Sequence, residues 1–229
     1  MESNRELFAD VEKFSTLTFS IFRELVELEK ADLAKRYEDG RTENLSVLDK
    51  VKELISYAKE KGWKSQETIW NAAGFITLLS LDLKTLMEDM VFNLNNEWKA
   101  NLTIRNICIV LYEACQDIPT VLGKNFYNEL LKYQLPKESL EDLFARKAAI
   151  KDFSTRYSDD LQTIRILVAA HRDHKFLSQV EVIDQLDVSK FLQITMEFEK
   201  LLNALGRSHQ SILKLTADLF VSNKGIYDK

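Results

Sequence analysis

The sequence predicts an all-α protein, an antiparallel helical bundle, and three observations predict it. The 229 residues include only six glycines and two prolines, whereas a sheet protein needs many turns built from Gly, Pro and Asn. Apolar residues recur at intervals of three and four along most of the chain, the spacing that gathers them on one face of a helix. No composition shift, low-complexity linker or repeat of fixed period divides it. The expected organisation is a single helical domain over 1–229. Helices within 1–100 form an N-terminal layer on a four-helix core within 101–219, and 220–229 is a frayed tail.

Residues 4 to about 37 carry the first stripe, with Leu7, Val11, Phe14, Leu17, Ile21, Leu25, Leu28 and Leu33 at steps of three and four. Asn4 is a natural start cap. Gly40 is read as the stop, followed by a polar turn over 41–44. A second helix spans about 46–61, with Val47, Val51, Leu54, Ile55 and Ala58 inward and Gly62 as its terminator. Ser65 caps a third over about 66–98, apolar on most sides and hence buried between others, with Gly74 allowing close packing. A fourth begins near Asn101 and carries Ile104, Ile107, Cys108, Leu111 and Cys115. Pro119 cannot continue a helix interior without a lost bond and a clash, so the chain is expected to break at 117–118 and restart at the proline.

That next helix ends near Tyr133. Pro136 opens another to about 157, with Ser139 and Asp142 spaced as a cap. Ser158, Asp159 and Asp160 read as the cap of a further helix that carries Arg165 and His171. Residues 176–186 lack a 3.6 period and read as loop or extended chain. Asp187 caps the last helix, over about 188–219, with Phe191, Ile194, Met196, Phe198, Leu201, Leu202, Leu205, Ile212 and Leu215 on its inner side.

Apolar residues make up 45% and charged residues 29%, which is ordinary for a soluble globular protein. The net charge of −5 excludes the broad basic field of a nucleic-acid coat, though not a small basic site. No apolar run approaches the roughly 18–20 residues of a membrane span, and MESNRELFAD has no signal-peptide pattern. Cys108 and Cys115 stand seven apart on one helical face, roughly 10 Å along the axis, too far for a disulfide. Both are expected to be buried and reduced in a cytoplasmic protein. Trp63, Trp70 and Trp98 are read as core and bundle-end plugs.

There is no Gly-rich phosphate loop, Cys-x-x-Cys pair or His-Glu-x-x-His pair, and no glycine-framed nucleophilic serine. The densest chemistry lies in 161–175, LQTIRILVAAHRDHK, which holds two of the three histidines. Arg165 offers a permanently charged fork for phosphate, and His171 can move protons near neutral pH. Together they suit cleavage of an RNA phosphodiester. On one ideal helix they stand about 9 Å apart axially and roughly 120° around. They therefore converge only if His171 lies past the helix end or if two protomers face each other. The competing reading makes Arg165 and His171 a helix-end ion pair with Asp160 or Asp173. His171 and His174 could also ligate metal, but no second helix supplies a matching carboxylate–His pattern, so neither metal nor cofactor is expected. His209 reads as a solvated or capping histidine.

The words TIRILVAAHRDH resemble the Arg-x(4–6)-His signature of the HEPN superfamily, whose members often read Ile-Arg-Asn-x-x-x-Ala-His-Arg-Asp. The resemblance implies a small HEPN-like α-bundle, commonly a homodimer. It also implies a metal-independent endoribonuclease of a prokaryotic defence or toxin–antitoxin system. By it, Arg165 would hold phosphate and His171 would act as general base or acid. Arg172, His174 and Lys175 would contact RNA, and an antitoxin or other defence protein would be the partner. The residue after the arginine is usually polar, and here it is Ile166. That departure implies the alternative, a non-catalytic helical module that binds a partner protein.

Overall fold

The computed structural model describes residues 19–166 and 176–222, and all regular structure among them is helical. The order is α1 Phe19–Leu28, α2 Lys30–Lys61, α3 Lys64–Phe92, α4 Glu97–Val121, α5 Lys124–Leu131, α6 Lys137–Ile164, α7 Phe176–Asp184 and α8 Val188–Ser222. The chain is an all-α antiparallel bundle.

Four long helices close a ring: α3 packs on α4, α4 on α6, α6 on α8, and α8 back on α3. Side-chain pairs fix their directions. Thr103 donates to Asp89 across the short α3–α4 turn. Lys147 reaches the Leu122 carbonyl at 2.8 Å while Ser154 bonds Cys115 further along, so α6 runs against α4. Asp142 meets Ser208, Phe153 meets Phe198 and Asp160 meets Lys190, so α8 runs against α6. A Cβ on Gly206 would stand 3.8 Å from Ile76, and Glu199 feels the charge of Lys84, so α3 runs against α8. Every neighbour is antiparallel, in up-down-up-down order.

The ring follows from a heptad pattern. On α8 the buried positions Phe191, Thr195, Phe198, Leu202, Leu205, His209, Ile212 and Thr216 alternate steps of four and three. On α4, Ile104, Ile107, Leu111, Ala114 and Ile118 do the same. Such a seam keeps facing its partner only when helices cross at a shallow angle. The hydroxyls of Thr195 and Thr216 return to the carbonyls of Phe191 (2.6 Å) and Ile212 (3.0 Å), so these polar members of the seam are satisfied within the helix.

The remaining helices dress the ring. α2 lies antiparallel on α3, where Val51 Cγ1 comes within 3.2 Å of the place a Cβ on Gly74 would take. α1 sits over the α3–α4 turn: Arg23 donates to the Leu94 carbonyl and the Asn95 amide to Glu27 at 3.1 Å. α5 buries Phe126 and Leu130 at the end of the bundle.

Several boundaries differ from the sequence reading. α3, within the 1–100 stretch assigned to the outer layer, is a full side of the ring. Gly40 does not stop a helix; α2 runs through it, and the break falls at Glu29. A glycine costs only about 1 kcal/mol inside a helix, and Arg41 bridges Glu88 at 2.5 Å and also pairs with Glu38. Gly62 does terminate α2, with φ at +70°. α3 starts at Lys64, so Ser65 is no cap; its hydroxyl donates to Glu129 at 2.5 Å. α3 ends at Phe92, and Asn96 caps α4 by accepting from the Lys99 amide at 3.1 Å.

Pro119 sits inside α4 rather than breaking it. It falls in the last turn, so the bond it cannot make to the Cys115 carbonyl is lost with only two helical residues still to follow. Asp142 is turned to Arg146 and Ser208 instead of capping α6. The segment 158–160 starts no helix, because α6 continues to Ile164. Residues 176–184, expected as loop, form α7. Asp187 caps α8 as expected, accepting from the Lys190 amide at 3.1 Å. Asn4 and the tail beyond 222 lie outside the described residues.

Gly123 makes the α4–α5 turn. A Cβ there would stand 2.7 Å from the Thr120 carbonyl oxygen, a backbone atom. Gly123→Ala should therefore lower stability by about 1–3 kcal/mol, the usual cost of overpacking. A fall in the urea midpoint at constant slope would register it.

Candidate functional site

Of the five residues singled out for RNA chemistry, the structure places one. Arg165 follows the last residue of α6 with helical backbone angles, φ −57° and ψ −49°. Its side chain runs back to α4. Nε donates to Glu113 Oε1 at 2.7 Å, and Nη2 lies 2.6 Å from the same oxygen. The guanidinium carbon stands 4.7 Å from the centroid of the Tyr112 ring. Two consecutive residues of α4 thus set the guanidinium's orientation, one by charge and one by its ring face. The Arg165 side chain keeps 26% of its exposure and Glu113 keeps 44%. Ile166 is 41% exposed. His171, Arg172, His174 and Lys175 lie outside the described residues.

Asp160 is not the partner of Arg165. It accepts from Lys190 of α8 at 2.7 Å. One turn earlier, Glu197 receives Arg156, and the Tyr157 hydroxyl donates to it at 2.8 Å. The α6–α8 flank therefore consists of cross-helix pairs, and Arg156 is engaged there with an acid. The exposed basic residue nearest to it on α6 is Lys151.

Three other expectations are settled here. His209 is neither solvated nor a cap: it is 2% exposed and stacks on Phe126 with ring centroids 5.7 Å apart. Burial lowers its pKa to about 4, so it is neutral. The reason is its place on the α8 seam, seven residues from Leu202 and three from Ile212. Trp98 is no plug; it is 63% exposed, with the Arg105 guanidinium 5.6 Å from its ring centroid. Trp63 and Trp70 are partly buried, and Trp63 meets Tyr57 edge-on at 5.3 Å. Cys108 and Cys115 are buried free thiols, as expected, and burial raises the pKa of both, Cys115 to about 11. Neither is a thiolate nucleophile at neutral pH.

Sequence reasoning missed Tyr112, Glu113 and Glu199. The first two carry no motif, because their role comes from α4 lying beside the end of α6. Glu199 could have been found: it falls four residues after Thr195 and three before Leu202, on the inner stripe of α8. Among the described residues no group of three or more His, Cys, Asp or Glu is placed to hold a metal ion. No described helix is long and apolar enough to cross a membrane.

No family model, curated protein or solved structure matches the chain.

Proposed function

We propose that the chain is a HEPN-like helical-bundle protein that acts on RNA as a homodimer, without a metal ion, in a prokaryotic defence or toxin–antitoxin setting. The observation that carries this reading is the position and orientation of Arg165. It stands at the end of the third ring helix and leads directly into the stretch that bears His171, ahead of the last ring helix. Its guanidinium is oriented by Tyr112 and Glu113 and stays partly open to solvent. In this reading Arg165 holds a phosphate, His171 exchanges a proton with the attacking or leaving oxygen, and Arg172, His174 and Lys175 contact the RNA backbone. A phosphate has to compete with Glu113 for the guanidinium.

That competition, together with Ile166 exposed where a polar residue would be expected, favours a second reading: a non-catalytic module that binds a partner protein, such as an antitoxin. One experiment separates them. Purified protein is incubated with end-labelled single-stranded RNA in excess chelator. Cleavage by wild type, reduced at least about 100-fold in both His171→Ala and Arg165→Ala with unchanged circular dichroism, supports the nuclease. Equal rates in wild type and His171→Ala sink it. No cleavage by wild type, gained on Ile166→Asn, identifies a decayed nuclease. A chain that cleaves in neither form and co-purifies with a stoichiometric protein supports the partner-binding module.

A further inference from the structure

Away from Arg165, α8 buries a carboxylic acid. Glu199 is 3% exposed, and its carboxyl interacts electrostatically with Lys84 of α3 and Tyr37 of α2. Asn203 hydrogen-bonds its carboxyl from one turn on, while Oε2 has no hydrogen-bond partner. Three helices face it. Lys84 of α3 and Tyr37 of α2 interact with its charge, and Asn203 belongs to α8 itself; Glu88 of α3 acts on the same Tyr37 and is paired with Arg41 of α2. Arg41 is taken by Glu88 and Glu38. The Lys84 ammonium lies against the backbone of α2, 3.7 Å from where a Cβ on Gly40 would stand. It acts on Glu199 through its charge, with no ion-pair contact between the two. Burial raises the pKa of the Tyr37 hydroxyl, and the charges of Glu199 and Glu88 raise it further.

We propose that Glu199 is a proton latch for α2, holding the Tyr37–Gly40 stretch of that helix on the ring while protonated and releasing it on ionisation. The physical reason is desolvation. A carboxylate at this site has one amide donor, one orphan oxygen and a lysine out of contact, so ionisation requires water. Water reaches it most cheaply from the α2 side. α2 is packed chiefly on α3, and Leu45, Val47, Leu54 and Tyr57 along it are exposed, although Val47 and Leu54 belong to the stripe expected inward. The α2 seam also leaves the buried Asn44 Nδ2 unpartnered among the described residues. A helix packed chiefly on one neighbour, with a buried polar group left unsatisfied along the contact, opens locally before helices held on several sides.

The direction follows from linkage. Burial raises the closed-state pKa of Glu199 from 4.5 to about 7, with Lys84 and Asn203 opposing. The opened state, with ordinary carboxyl affinity, binds the proton less tightly. Opening is therefore favoured as pH rises from 4.5 through about 7 and levels off above it.

The test is amide hydrogen exchange on the full chain, expressed as protection factors at pH 6 and pH 8. Wild type is expected to lose roughly tenfold in protection over residues 34–44 between the two, while 64–92 and 188–222 hold theirs. Glu199→Gln, which is isosteric and cannot ionise, should show the same protection at both. Lys84→Met removes a cation that favours the ionised acid in the closed state, so it should deepen the loss of protection over 34–44 at pH 8. An equal pH response in wild type and Glu199→Gln overturns the proposal. So does a loss of protection shared evenly by all the ring helices.

Discussion

Phe198→Ala is expected to cost about 3–5 kcal/mol of folding stability, the range for deleting a fully buried aromatic ring. Phe198 has no solvent exposure and lies in the middle of the α8 seam. Its ring faces Phe153 of α6, also fully buried, with centroids 5.1 Å apart, and Phe153 in turn meets Tyr157 at 4.8 Å. Removing the ring therefore opens a cavity where α6 and α8 grip each other. The neighbouring side chains are anchored on two separate helices and cannot collapse into it fully. Urea denaturation would show the loss as a lower midpoint with the slope retained. Leu177→Ala is the control. Leu177 is 72% exposed on α7, and its truncation should move stability by no more than about 0.5 kcal/mol. Similar losses from both would mean that the α6–α8 seam is not the packed centre of the molecule.

The second large effect is acid-induced and comes from His209. In the folded chain its pKa is about 4, below the usual 6.5, because burial on Phe126 leaves the charged ring without water. The unfolded chain binds the proton more tightly than the folded one. Stability from the neutral ring is therefore fully present above pH 6.5 and is lost as pH falls from 6.5 toward 4. His209→Leu keeps an apolar group on the seam and removes the titration. Between pH 7.5 and 4.5 the stability of wild type relative to this variant should fall by about 2–3 kcal/mol. The comparison cancels the carboxylates that also titrate in this range, because both proteins share them. If the difference between the two proteins is the same at both pH values, His209 is not buried as a neutral ring.

His209 and Glu199 show how far a sequence pattern can be pushed. The apolar members of the α8 seam were visible as a stripe, and five polar residues of the same helix are buried with it: Thr195, Glu199, Ser208, His209 and Thr216. The stripe marks the inward face whatever residue occupies it. A reading that sorts residues by polarity sends the histidine to solvent, whereas one that sorts by position buries it. The helix boundaries failed for a related reason. Gly40, Pro119 and the 158–160 acids are all local signals of a helix end, worth about 1 kcal/mol for the glycine or a cap and about 3 kcal/mol for the proline. Helices of 25 to 32 residues packed over their whole length override them. Gly62 held as a stop because the backbone there takes a positive φ. Gly123 falls within the helix expected from Pro119 to near Tyr133; it makes a turn instead, so close to the Thr120 carbonyl that a Cβ would not fit.

The sequence by itself determined that the chain is helical, that its long helices bury one stripe each, and that Cys108 and Cys115 share an interior face. Those properties are written in spacing, and spacing survives without knowledge of the neighbours. Only the tertiary structure decided which helices close the ring and that Arg165 turns to Glu113 and Tyr112 rather than to Asp160. It alone set an acid of α8 beneath α2. Each of these depends on which residue of a distant helix comes alongside. That register is fixed by the fit of whole seams, and no window of sequence contains both sides of it.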